Sequence, residues 1–426
     1  MWGLVLLLFL QDEARPPWEA LKLAEIPADL FFLRAHFSPG GKRVLYEAKR
    51  GENFLYVVGH TPGEEFDFVE DLVMTPDGSG FAYRGARGRQ RYLVTAAGKG
   101  EPLEGLGRPR FSPDGKRLAC AVHEGHDSFM VVDGRRGPPY HRVSMPAFSP
   151  DGSTVAYTAD RTGPRGRPEC VVVRGEEITV TPYSVIWDPV FRPDGKTLAY
   201  PAKRGEDCFL VVGGKEAPEK FSGVYNPVFS RDGKHVAYSA FKDGNHMLAL
   251  DHTPVPGTFG QNFNEFGFAP DHRLWYHHRR YNHPNVTVGD KDLQPPGESA
   301  GIPVFTPDGR HMAWIGHHDG KESVYLDGKA VFEGERFMHV ALSPDGRHAA
   351  CVDTTGGQLM EVKEKVNRGS KWRMVLVGAR AWVRVGTKKS VEYDEVGEPV
   401  FSADSQWIGF GARKDRELWW QVMKVE

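Results

Sequence analysis

A short phrase built on Pro-Asp-Gly recurs along the whole chain, and it limits the possible folds more than any other feature. "SPDGKRLACAV" begins at Ser112. It returns as "SPDGSTVAYTA" at Ser149, "RPDGKTLAYPA" at Arg192 and "SPDGRHAACVD" at Ser343. Aligned on the proline position, the copies fall at Pro39, Pro76, Pro113, Pro150, Pro193, Arg231, Pro270, Pro307, Pro344 and Ala403. The steps are 37, 37, 37, 43, 38, 39, 37, 37 and 59 residues, so there are ten copies with one insertion of about 22 residues before the last. A fixed period of this length marks a repeat architecture, and each repeat is one supersecondary unit.

Residues 109 to 143 show the grammar of a copy. "PRFS" reads as a short strand. "PDG" is a tight turn in which Pro presets φ, Asp bonds the backbone ahead, and Gly accepts a positive φ. "KRLACAVHE" alternates as a second strand, "SFMVVDG" is a more uniformly apolar third, and "PPYHRV" is expected to be a polar fourth. Period-2 alternation with dense Gly and Pro excludes a solenoid of helix pairs. Four short antiparallel strands per repeat spell an all-β fold, a β-propeller of four-stranded antiparallel blades.

The phrase "FSPDGKRLA" at 111 to 119 resembles the WD-repeat-like, TolB-like propeller repeat. That repeat occurs in TolB, the periplasmic propeller of the Tol-Pal system, and in the propellers of the prolyl oligopeptidase and dipeptidyl peptidase group. The stretch "FLVVGGKEAPEKFSGVYNPVFSRDGKHVAYSA" (209 to 240) carries the same resemblance. It covers about residues 30 to 420. It implies a propeller fold and, in the peptidase group, a propeller without a catalyst. This chain has no G-x-S-x-G nucleophile elbow.

A propeller has to satisfy its sheet edges by closing. After the last turn come "QWIGFGA" (406 to 412) and "ELWWQVMKV" (417 to 425), a second and a third strand. "ALKLAEIPA" (20 to 28) precedes the first inner strand and has no blade of its own. It is expected to supply the missing outer strand. One ten-bladed ring over residues 17 to 426 is therefore the expected arrangement, with two five-bladed rings as the alternative. The insertion, within "TTGGQLMEVKEKVNRGSKWRM" (354 to 374), suits an extended hairpin or a short helix over the upper face.

The Pro-Asp-Gly turns form the lower face, so variation is expected at the other end. Five residues before each turn stands a position read as the channel mouth. It holds Arg34, Asp71, Arg108, Met145, Asp188, Asn226, Glu265, Ile302, His339 and Glu398, and seven of the ten are charged or His. A hydrated rim is one reading. A mixed-charge site for a polar ligand or peptide terminus is the other. Arg34, Asp71, Arg108, Asp188, Asn226, Glu265, His339 and Glu398 are the binding candidates. Asp188, Glu265, His339 and Glu398 would be the acid and base groups if the channel mouth held a glycan hydrolase or lyase site. The loops "KRGEN" (49 to 53), "ARGRQR" (86 to 91), "DRTGPRGRP" (160 to 168), "HHRRYNHPN" (277 to 285) and "HHDGK" (317 to 321) are basic and would attract an anionic partner, or are solvated loop tips.

Formal net charge is -2, with 54 Lys and Arg against 56 Asp and Glu, so a general nucleic-acid binder is not expected. No metal and no cofactor is expected. His272, His277, His278 and His283 show no zinc-ligand spacing, and the adjacent pair would point to opposite sides of a strand. Cys120 and Cys351 share one repeat position and read as small buried strand residues. Cys170 and Cys208 begin the third strands of successive repeats, and a disulfide between them is the less favoured reading. The apolar run from Leu4 to Leu10 is too short to span a bilayer and fits the core of a signal peptide over residues 1 to 16. The reading that results is a non-catalytic binding or scaffold propeller. It would be exported to the periplasm or secreted, and cytoplasmic otherwise. It would be monomeric, with a protein, peptide or polysaccharide partner and no transmembrane span.

Overall fold

The computed structural model describes residues 20 to 425 except 39, 261 to 264, 281 to 282, 294 to 298, 319 and 367 to 368. It is all-β: ten antiparallel sheets, one per repeat, make a ten-bladed propeller. The apolar run at residues 4 to 10, and with it the signal peptide, lies outside the described residues. Among the described residues no helix is long and apolar enough to cross a membrane.

Closure follows the expected route. The strand Ala20–Glu25 pairs antiparallel with Glu417–Lys424 and becomes the outer strand of the tenth blade. Ala24, Ile26 and Leu30 are buried with Leu418 and the first blade's Val44, Tyr46 and Val57. Arg416 ties the segment down by donating to the carbonyls of Ile26, Pro27 and Leu30. The fifth blade packs on the sixth through Ala199, Leu210, Phe221 and Tyr238. The first meets the tenth through Phe37 and Trp420, whose ring centroids are 6.4 Å apart. Two five-bladed rings would need the fifth blade to meet the first, so the single ring is the arrangement adopted.

One strand assignment is corrected. In the third blade the outer strand is only Arg135–Arg136, reinforced by a bridge between Ser128 and Tyr140. The rest of "PPYHRV" crosses to the fourth blade, where Arg142–Val143 begins the inner strand. The crossing aromatic packs on its new blade. Five pairs 17 residues apart meet edge to face between blades: Phe66 with Tyr83, Tyr140 with Tyr157, Tyr183 with Tyr200, Phe221 with Tyr238 and Tyr393 with Phe410. Each contributes about 0.5–1.5 kcal/mol beyond its buried area.

The lower face repeats one hydrogen-bond solution. The hydroxyl before the turn is buried, donates to the turn Asp and accepts the N–H five residues on. Ser230 Oγ lies 2.7 Å from Asp232 and 3.0 Å from the His235 nitrogen. Ser112, Ser149, Thr306, Ser343 and Ser402 donate to their own aspartates in the same way. The Ser230 hydroxyl holds Asp232 down at about 2, and Asp77, Asp114, Asp151 and Asp308 are depressed for the same reason. A carboxylate with a depressed folded pKa stabilises above its unfolded pKa, and the contribution is lost as pH falls through the folded one. Acid titration followed by tryptophan fluorescence should therefore show stability declining from about pH 4 toward pH 2. Asp232→Asn should flatten that decline, and an unchanged slope would reject the assignment.

All four cysteines are free and buried, so Cys170 and Cys208 form no disulfide. Burial pushes the Cys170 thiol up to about 12 and the Cys120 thiol up to about 11, which leaves both unreactive.

The insertion is an extended hairpin. Ala349–Val366 and Gly369–Val385 pair from Ala350 with Val385 out to Val366 with Gly369, far past the end of the blade. Where it leaves the ninth blade, Gly356, Gly357 and Gly378 take φ of 65°, 81° and 74°, bending both strands at one level. The hairpin's first strand comes within 8 Å, Cα to Cα, of the second blade's inner strand Phe68–Met74.

Candidate channel site

Nine of the ten positions five residues before each turn stand midway along the inner strands, below the mouth at which the sequence reading set them, and eight of these mark a break in the strand. Glu265 directly precedes its strand Phe266–Phe268. In blades three, four, five, eight and ten the inner strand splits in two there. The next residue in those blades is Pro109, Pro146, Pro189, Pro303 or Pro399, which has no N–H to give the ladder. In blades two, six and nine the strand continues through a bulge. There Asp71, Asn226 and His339 take φ of 53°, 51° and 50°. Short polar side chains tolerate that left-handed conformation best, so backbone geometry accounts for part of the polarity at these positions.

The eight binding candidates divide by partner. Arg34 donates to the buried Glu47 at 2.7 Å. Asp71, only 11% exposed at its side chain, is shared between Arg84 and the exposed Arg108, whose Nε lies 2.8 Å away. Asp188 accepts the Met145 N–H at 3.1 Å, joining two adjacent blades. Glu265 faces His277 at 3.4 Å. Asn226, His339 and Glu398 are exposed. The four acid and base candidates, Asp188, Glu265, His339 and Glu398, stand on blades five, seven, nine and ten. Among the described residues no hydrogen bond or ion pair joins any two of them.

Three exposed apolar residues stand at or beside these positions, and the sequence reading did not count them as candidates. Tyr225 and Met338 directly precede the bulge residues Asn226 and His339, and Ile302 occupies the eighth blade's own break. They are 44%, 40% and 44% exposed. Charged side chains thus stand at blades one, two, three, five, seven and ten, and exposed apolar surface is interspersed with them at blades six, eight and nine. The available signal was the residue next to the aligned position, which is Tyr or Met only in those two copies.

The basic loops are mostly neutralised. Arg50 pairs with Asp29 and Glu65, Arg87 with Glu64, and Arg161 with Glu169. Arg91 is buried and donates to the carbonyls of Gly88 and Gln90. His278 is buried against Thr287 while its neighbour His277 faces Glu265, so the two do point apart. The His283 side chain lies outside the described residues. Among the described residues no cluster of three or more His, Cys, Asp or Glu could hold a metal ion.

No protein-family model matches the chain, and no curated protein matches it in sequence. Solved structures of similar fold do exist. TolB from Acinetobacter baumannii is 17% identical over 72% of this chain and 75% of its own, with a TM-score of 0.30. The β-propeller domain of the Trilobed protease from Pyrococcus furiosus is 14% identical over 62% of this chain and 96% of its own, with a TM-score of 0.36. Two prolyl endopeptidases are represented by a match at 15% identity over 74% of this chain, with a TM-score of 0.35. This chain spans 54% of the prolyl endopeptidase's length. TolB and the propeller domains of proteases are thus structures to which this ten-bladed propeller is similar, at identities that speak to the fold alone.

Proposed function

We propose that this protein is a non-catalytic, exported binding propeller that receives a polypeptide segment in the upper half of its channel. The observation that carries the reading is a mid-height ring that mixes charge with exposed apolar surface. Arg108, Asp188, Glu265 and Glu398 offer charge, and Tyr225, Ile302 and Met338 offer apolar surface among them. A polypeptide presents both chemistries within a few residues, whereas a uniform polyanion would leave the apolar surface unused. The bent hairpin of the ninth blade, which approaches the second blade, adds an element present in one blade alone. Such asymmetry suits a partner with one orientation in the ring.

Affinity capture from a cell-envelope extract tests the reading. The intact protein should retain a polypeptide. The double variant Arg108→Glu, Glu265→Lys and a variant with the hairpin trimmed to Gly356 and Gly378 should each lose most of it. Equal recovery by all three proteins would reject this face of the ring. Retention of a polysaccharide instead would reject the polypeptide partner.

A further inference from the structure

The outer edge of a blade exposes unpaired backbone groups, and this chain blunts nearly all of its outer edges. Seven outer strands are two residues long, and each carries Pro, Lys or Arg. The eighth blade's longer Lys329–Gly334 starts with Lys and contains a register shift. The fourth blade is the exception. Its outer strand Glu177–Thr181 is five residues long, lies at the edge of its sheet and holds no Lys, Arg or Pro. It pairs without a bulge to its inner neighbour Pro168–Arg174.

The side chains of this edge are equally open. Ile178 and Val180 share one face and are 42% and 52% exposed. They stand opposite Val173 and Val171, which are buried at 3% and 0%. The apolar row of the blade therefore runs past its last strand into solvent. Exposed charges lie at both ends of the strand, with Arg174 directly opposite Glu177 at the lower one. Glu176 and Glu177 sit at its lower end, and Arg165 and Arg167 on the upper loop of the same blade. Among the described residues none of the four enters an ion pair.

We propose that two copies of this chain pair through this edge, antiparallel, about a twofold axis at Thr179. That register sets Ile178 directly beside Val180 of the second copy, and Val180 beside its Ile178. Directly opposed residues of an antiparallel pair project to the same face, so four β-branched or apolar side chains meet in one cluster. Thr179 pairs with itself on the axis. The same operation carries the acidic lower end of each copy toward the basic loop of the other, so one patch complements itself as a twofold interface requires. A parallel register, or an antiparallel one shifted toward Glu177, would bring Glu176 and Glu177 of both copies together. The pairing revises the single-chain state expected from the sequence. Its contact is smaller than the interfaces that hold obligate dimers, so association is weak and set by concentration.

Sedimentation velocity on the full chain, from about 5 to about 500 µM, reads the proposal directly. The weight-average mass should climb from one chain toward two. Val180→Lys, at an exposed position, should keep the thermal midpoint and hold the mass at one chain throughout. Arg165→Glu with Arg167→Glu should raise the dissociation constant about tenfold. Adding Glu176→Arg and Glu177→Arg to that same chain should restore it, because each copy then presents both reversed ends. A mass of one chain at every concentration would overturn the proposal, as would a dimer that Val180→Lys leaves intact. Failure of the second charge pair to restore association would overturn the antiparallel register.

Discussion

A chain lacking residues 17 to 30 should fail to unfold cooperatively and should aggregate on mild heating. The segment buries Ala24, Ile26 and Leu30 against the first and tenth blades. Burying a side chain the size of Leu or Ile is worth about 1.5–3 kcal/mol, so removing Ile26 and Leu30 alone costs about 3–6 kcal/mol. Their loss also uncovers Leu418, Val44 and Val57. The sum is comparable with the whole stability of a typical domain. The damage is more than local, because Glu417–Lys424 becomes an open edge and the ring is cut at one seam. Differential scanning calorimetry and light scattering check the result. A truncated chain that melted like the intact protein would refute closure by this strand.

Gly78→Val should be among the most damaging single substitutions on the lower face. Gly78 has φ of +68°, and a Cβ there would lie 2.3 Å from the Cβ of Ser38 in the preceding blade. Backbone strain of about 1–3 kcal/mol adds to overpacking of about 1–3 kcal/mol. The loss should therefore reach about 2–6 kcal/mol. Gly88 supplies the control. Its φ is +57°, yet nothing lies within 4 Å of an added Cβ. Gly88→Val should cost the strain alone, about 1–3 kcal/mol. Denaturant midpoints for the two variants separate conformation from contact. Equal losses would mean that the turn glycines serve conformation only.

The contrast explains how much of this protein could be read from its residues. Pro-Asp-Gly is a local solution to a local problem, so the phrase named the turn, counted the blades and fixed the lower face. The need to close the ring matched Ala20–Glu25 to its partner almost 400 residues away. Positions that depend on a neighbouring blade were harder to read. "PPYHRV" looks like one polar strand, but Tyr140 belongs to one blade and Arg142 to the next. The spacing of 17 residues between paired aromatics was present but has meaning only once blades are stacked. At the channel, the aligned column of residues stands lower along the inner strands than the sequence reading set it. "PRFS" reads as a strand that begins at Pro109, whereas the inner strand has a second piece upstream, Gly105–Leu106, that pairs with the same neighbour. Asp71, Asn226 and His339 looked like ligand contacts, and their left-handed backbone supplies a second reason for their chemistry.

Mechanically, the ninth blade carries a lever. Beyond its three glycines the hairpin runs nine residue levels outward, from Gln358 to Val366, in unbroken register. At about 3.4 Å per level the arm is about 30 Å long. A rotation of about 20° at the glycines would displace the Val366 end of the arm by about 10 Å. Three residues with no side chain thus sit at the fulcrum of the longest reach that a blade of this ring has beyond its own sheet.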